Sequence, residues 1–254
     1  MTEADHPTLF MLPFLAATGH QWAGVASRLT GSARCVTIDL PGFGDSHAQK
    51  GFSVAEMAEA VAAVVREHAP RRWALAGHSM GGKVSCAVAR MAEDGAPGLG
   101  GLERVVLVAG SPPCPEPMDE GGRADMLGWF GGDAEARRAT ARRYVAGNAA
   151  APLDAEVLEQ AAGDVARMDR DAWVAWLDRG SREDWAERIG VLRTPALILA
   201  GSEDAALGPD AQARHMAPHF ADHRLEVLAG AGHLLPLERP AEVARLIAEH
   251  IGVR

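Results

Sequence analysis

Two runs in this chain, Val105-Val106-Leu107-Val108 and Ala196-Leu197-Ile198-Leu199, are apolar at every position. Successive side chains of a strand point to opposite faces, so a strand with one wet face alternates apolar and polar residues. A strand without that alternation is covered on both faces, as in a parallel sheet between two layers of helices. Six short apolar runs recur in all, at residues 8–14, 35–40, 73–77, 104–109, 196–200 and 224–228. Amphipathic stretches lie between or after them, at 53–68, 80–91, 209–218 and 241–251. Ser53 and Glu56 have the spacing of a reciprocal helix cap, and Pro209 and Pro240 stand at helix starts, where a missing N–H costs nothing. The pattern predicts an α/β fold: a doubly wound, mainly parallel sheet of about six strands.

One interval breaks the alternation. Residues 111–194 contain no strand-like run. Ser111-Pro112-Pro113-Cys114-Pro115-Glu116-Pro117 makes a stiff, extended exit from the fourth run, and helical patterns follow at 134–147, 154–167 and 170–179. Four of the six tryptophans fall here, Trp129, Trp173, Trp176 and Trp185. We therefore expect a core domain from 1–110 and 195–254, with 111–194 inserted as a helical cap over the strand ends. Trp173 and Trp176 have ordinary core spacing, with one or two of the cap tryptophans expected to face a pocket.

Composition narrows the functional classes. A net charge of −9 argues against nucleic acid or an anionic membrane as partner. The three cysteines, Cys35, Cys86 and Cys114, show neither a disulfide framework nor zinc spacing. The polar, acidic start lacks the layout of a signal peptide, and no apolar stretch reaches the length of a membrane span. A cytoplasmic protein without metal is the expectation.

Chemistry enters at Gly77-His78-Ser79-Met80-Gly81, which follows a strand-like run and leads into a helical one. A serine at the apex of so sharp a turn has its hydroxyl pushed outward, and side chains in place of the flanking glycines would collide across the turn. The hydroxyl becomes a useful nucleophile only when a base takes its proton and a third group orients the base. In an open α/β sheet those partners belong on loops beyond the carboxyl ends of later strands. Gly201-Ser202-Glu203-Asp204 follows the fifth run, and Gly230-Ala231-Gly232-His233-Leu234-Leu235-Pro236-Leu237-Glu238-Arg239-Pro240 follows the sixth. Ser79, Asp204 and His233 thus appear in an order suited to a triad, with Glu203 as the competing acid. The plainer alternatives are a turn serine, a turn aspartate and a core histidine; the strand-end position of all three favours catalysis.

With these marks the chain resembles the α/β-hydrolase superfamily over nearly its full length. The stretch Asp39-Leu40-Pro41-Gly42-Phe43-Gly44-Asp45-Ser46 after the second run adds to the likeness. The resemblance implies an oxyanion hole made of two backbone N–H groups. One belongs to Met80; the other comes from the loop after the first strand, where family members carry His-Gly and this chain has Pro13-Phe14. Leu15 is then the second donor, or Phe14 if the loop is one residue longer. The N-terminal hairpin common in the superfamily is expected to be missing. Phe14, His20, Trp129, Trp173 and Trp176 are the candidate pocket residues, and Arg137, Arg138, Arg142 and Arg143 form a solvated helix face or an anion-holding one. The implied activity is hydrolysis of a small-molecule carboxylic ester through an acyl-enzyme, with no cofactor. Rival readings on the same residues are a carbon–carbon hydrolase or pyruvate-eliminating lyase of the menaquinone-pathway type. A non-catalytic ligand receptor is the rival of another class.

Overall fold

The computed structural model describes residues 6–252. In chain order the elements are β1 (Thr8–Leu12), α1 (Ala23–Ala26), β2 (Arg34–Thr37), α2 (Val54–His68), β3 (Trp73–His78), α3 (Met80–Glu93) and β4 (Leu102–Val108). Then come α4 (Glu120–Leu127), α5 (Ala134–Gly147), α6 (Ala155–Ala166), α7 (Arg170–Asp178), α8 (Ala186–Ile189), β5 (Ala196–Gly201), α9 (Pro209–Ala211), β6 (His223–Leu228), α10 (Leu235–Glu238) and α11 (Pro240–His250). The strands form one six-stranded sheet, ordered β2-β1-β3-β4-β5-β6, and every neighbouring pair is parallel. The first described strand is β1; residues before His6, which bear on the missing hairpin, lie outside the described residues.

Both faces of the sheet are covered, as the unbroken apolar runs require. Leu9, Met11, Ala74, Ala76, Val106, Val108, Leu197 and Leu199 point to the side packed by α1 and α11. Their sequence neighbours Phe10, Leu12, Leu75, Val105, Leu107 and Ile198 point to the opposite side, with α2 and α3. The two edge strands, β2 and β6, keep polar, part-exposed residues because each has only one neighbour. Ser53 caps α2 reciprocally with Glu56, as its spacing predicts.

Two segments differ from the sequence expectation. The helix expected over 209–218 is one α turn, a π turn over Gln212–Met216 and a 3-10 turn over Ala217–His219. Pro218 has no N–H to continue an α ladder, and the Gln212 amide turns inward to donate to the Gly110 and Leu207 carbonyls, at 2.9 and 3.0 Å. Helix α4 escapes the periodic pattern because Gly121 and Gly122 sit in its first turn. Asp119 starts it by accepting the Gly122 N–H at 2.8 Å.

The strand order also selects a location. From β1 the chain goes outward to β2, then returns to the other side of β1 to lay down β3. Where an open parallel sheet reverses in this way, the loops leaving adjacent strand ends diverge to opposite faces and leave a crevice between them. Here that crevice lies beyond Leu12 and His78.

Candidate active site

Ser79 is the residue between β3 and α3. Its backbone, at φ 52° and ψ −118°, lies in a region that non-glycine residues rarely occupy. The surrounding chain over-determines this geometry. The Ser79 N–H donates to the Val108 carbonyl at 3.0 Å, and the Ser79 carbonyl accepts from the N–H groups of Gly82 and Ser111, at 2.7 and 2.8 Å. The side chain makes no capping bond to α3 and has no hydrogen-bond partner among the described residues. The glycines permit the turn. A Cβ on Gly77 would lie 2.2 Å from the Gly81 carbonyl oxygen, and one on Gly81 would lie 2.8 Å from Leu12 Cβ. Gly77→Ala is expected to destabilise the protein by about 3 kcal/mol, because the obstacle is backbone that cannot swing aside. A urea midpoint equal to wild type would contradict this.

His233 sits in the loop after β6, and its Nδ1–H donates to Asp204 Oδ2 at 2.7 Å. The Asp204 side chain is 3% exposed, and its Oδ1 accepts the Ala206 and Leu207 N–H groups, each at 3.0 Å. Burial alone would raise the Asp204 carboxyl, but the His233 bond and these N–H groups hold it below its ordinary value. Burial likewise pulls the His233 imidazole down; the Asp204 bond and charge outweigh it and hold the ring above 6.5. Glu203, the competing acid, is exposed and accepts from the Ser202 hydroxyl. With the Nδ1 proton committed to Asp204, Nε2 of His233 is the free basic nitrogen.

The structure joins Asp204 to His233 directly and brings Ser79 to them through its neighbour. His78 Nε2–H donates to the His233 carbonyl at 2.8 Å, and the two rings lie 5.3 Å apart. Burial first, then the His233 charge, pushes His78 down to about 3, so it serves as a neutral prop. No hydrogen bond joins the Ser79 hydroxyl to the His233 ring, and such contacts tighten when substrate fills a site.

On the facing loop, the Phe14 N–H donates to Gln21 Oε1 at 3.2 Å. The N–H groups of Leu15 and Met80 have no acceptor among the described residues. Phe14 packs edge-on against His78 at 5.4 Å and beside Tyr144 at 6.2 Å. With His20 it also lines a cavity of about 350 Å³, whose other walls include Ala17, Val157 and Leu237. Trp129 stacks on Trp173 at 6.1 Å, whereas Trp173 and Trp176 are buried within the helical connection between β4 and β5.

That connection holds the site in ways the sequence reading did not anticipate. Tyr144, on α5, donates its hydroxyl to the Leu15 carbonyl at 3.3 Å. Asp164, on α6, accepts from the Thr18 hydroxyl at 2.9 Å and pairs with His20 at 3.0 Å. The Asn148 carbonyl accepts the His233 N–H at 2.9 Å. Glu238 clamps the same loop by accepting from the N–H groups of Gly232, Leu234 and Ala150. None of these four carries a local motif; Tyr144, Asp164 and Asn148 have partners far along the chain, and Glu238 joins its own loop to the distant Ala150. The four arginines of α5 face elsewhere. Arg137 donates to the Ala166 and Met168 carbonyls, Arg138 and Arg142 pair with Glu159, and Arg143 donates to Thr140. Among the described residues no three His, Cys, Asp or Glu side chains cluster as a metal site needs, and no helix is long and apolar enough to cross a membrane.

Comparison with known proteins agrees with this fold. The family model of the alpha/beta hydrolase fold matches residues 7–240. The pimeloyl-[acyl-carrier protein] methyl ester esterase of Vibrio cholerae is 30% identical over 210 residues, covering 79% of this chain and 78% of that protein. The 2-succinyl-6-hydroxy-2,4-cyclohexadiene-1-carboxylate synthase of Serratia proteamaculans is 33% identical over 110 residues, 43% of this chain and 41% of that protein. The chain spans less than half the length of two of its curated relatives, 6% and 41%. Among solved structures, an esterase from Exiguobacterium antarcticum superposes with a TM-score of 0.83 at 18% identity, covering 96% of this chain and 91% of that one.

Proposed function

Because the chain belongs to the α/β hydrolase fold family, we propose that it cleaves carboxylic esters by a covalent route centred on Ser79. The observation that carries this reading is the 2.7 Å bond from His233 to Asp204, joined through the His78–His233 bond to Ser79 at its strained apex. His233 Nε2 takes the Ser79 proton as Oγ attacks the ester carbonyl, and the same proton then passes to the departing alcohol. Water, deprotonated by His233, releases the acid from the acyl-enzyme and restores the Ser79 hydroxyl. Asp204 holds the ring in the tautomer that leaves Nε2 basic and stabilises the imidazolium. The Leu15 and Met80 N–H groups receive the oxyanion, and Leu15 is favoured over Phe14 because the Phe14 N–H is already committed to Gln21. Residues 111–194 act as the cap.

The relatives named pimeloyl-[acyl-carrier protein] methyl ester esterase support an acyl ester as substrate. The Serratia synthase keeps a lyase on the same residues as the second reading. A fluorophosphonate probe and short p-nitrophenyl esters separate enzyme from receptor: Ser79 should be labelled and the esters turned over. Folded protein that neither reacts with the probe nor hydrolyses any ester would refute the proposal.

In this reading Tyr144 steadies the oxyanion loop through the Leu15 carbonyl. Tyr144→Phe is expected to lower kcat by about three- to tenfold with little change in KM, since one neutral hydrogen bond of ~1 kcal/mol is lost. A rise in KM at constant kcat would assign Tyr144 to substrate binding instead.

A further inference from the structure

Glu116 is not used by the mechanism above, yet it is tied to the backbone of the Ser79 elbow through Ser111. It lies in the proline-rich exit from β4. Its N–H donates to the Ser181 carbonyl at 2.8 Å, and its Oε2 accepts the Ser111 hydroxyl. Ser111 in turn donates its own N–H to the Ser79 carbonyl, so one residue separates the carboxylate from the elbow backbone. The Glu116 charge raises both the His233 imidazole, on the loop after β6, and the Tyr144 hydroxyl, on α5. It is part-exposed, and no lysine or arginine pairs with it within ion-pair distance among the described residues. Lys83 is the nearby cation; its buried ammonium donates to the Gly180, Ser181 and Glu183 carbonyls, at 3.5, 3.2 and 2.9 Å, and its charge is shared among the carboxylates of Glu116, Glu183 and Asp184. The α5 arginines that would welcome an anion are held on other partners.

We propose that Glu116 sets the charge selectivity of the site, admitting esters with neutral or cationic groups and disfavouring those that carry an additional carboxylate. The proposal rests on the hydrolase reading of Ser79. Two unit charges in a partly dry crevice interact far more strongly than in bulk water, enough to shift relative turnover about tenfold at separations typical of such a site. The same field acts on the product: every ester hydrolysed leaves a carboxylate, which Glu116 repels, so release of the acid is favoured.

The experiment compares p-nitrophenyl butyrate, the p-nitrophenyl glutarate monoester and the p-nitrophenyl ester of γ-butyrobetaine. For each variant the kcat/KM of the charged esters is divided by that of the neutral one. Glu116→Gln keeps an acceptor for Ser111 while removing the charge. It is expected to raise the anionic ratio about tenfold, lower the cationic ratio, and tighten inhibition by butyrate. Glu116→Asp retains the charge and should keep the wild-type order. Unchanged ratios in Glu116→Gln, with Ser79-dependent hydrolysis intact, overturn the proposal alone. Absence of Ser79-dependent hydrolysis of all three esters by folded wild type overturns the hydrolase reading, and this proposal with it.

Discussion

Ser79→Ala is expected to lower kcat for ester hydrolysis by about a million-fold, the loss typical of removing the nucleophile from a unit whose members act together. Nothing nearby replaces it: His233 lacks a hydroxyl to deprotonate, and the remaining acceleration comes from binding and the oxyanion donors alone. Stability should move little, within about 0.5 kcal/mol, because the Ser79 side chain makes no hydrogen bond that alanine would break. The strained φ of 52° is carried by the backbone bonds to Val108, Gly82 and Ser111, which the substitution leaves in place. Thermal unfolding and p-nitrophenyl butyrate turnover on the same preparation separate the two effects. Equal turnover in wild type and variant would remove Ser79 from the mechanism.

Asp204→Asn is expected to lower kcat about 10⁴-fold. Oδ1 of residue 204 remains held by the Ala206 and Leu207 N–H groups, so the new amide nitrogen is the atom that faces His233. An N–H there requires Nδ1 to accept, which moves the ring proton to Nε2 and blocks that nitrogen as a base. The pH dependence gives a second readout. Neutral His233 is the active form, and Asp204 holds its pKa above 6.5, so the wild-type rate rises with pH through a limb above that value. Without the carboxylate, burial is unopposed and the residual limb should shift to lower pH. Stability follows the same linkage. The His233 contribution is full below 6.5 and fades as pH rises through its folded pKa; the Asp204 contribution is full above 3.8 and fades as pH falls through its own. Asp204→Asn should therefore cost more stability near pH 5.5 than near pH 8. Urea titrations at the two pH values check the sign, and a cost that grows toward pH 8 would contradict it.

Much of the sheet was legible because burial on both faces leaves a direct record in composition. Val105-Val106-Leu107-Val108 has no polar position, and β4 is sandwiched between β3 and β5 with helices on either side. The elbow was legible for a similar local reason, since glycines at 77 and 81 are demanded by backbone within a few residues or across one strand. Ser79, Asp204 and His233 could be named in order because each follows a strand, and strand ends converge in this architecture.

The contacts around those residues were not legible. Tyr144 reaches Leu15 across 129 positions, Ala150 reaches Glu238 across 88, and Lys83 reaches Glu183 across 100. A hydrogen bond of this kind needs only one polar atom at each end, so it imposes no period, spacing or composition on the sequence near either partner. In the proposed mechanism, the preference for Leu15 over Phe14 as oxyanion donor rests on a Gln21 amide that happens to occupy the Phe14 N–H. The arginines of α5 likewise looked the same as sequence whether they faced a substrate or Glu159.

The sequence by itself thus determined the strand runs, their coverage on both faces, and the strand-end positions of Ser79, Asp204 and His233. Those properties are encoded in residues near one another in the chain, where sterics and hydrophobic period act over a few positions. Only the tertiary structure decided which N–H groups beside the elbow are left unpaired, what clamps the His233 loop, and which carboxylate is tied to the elbow. Those depend on where distant segments dock, and docking is set by the shapes of whole packed layers.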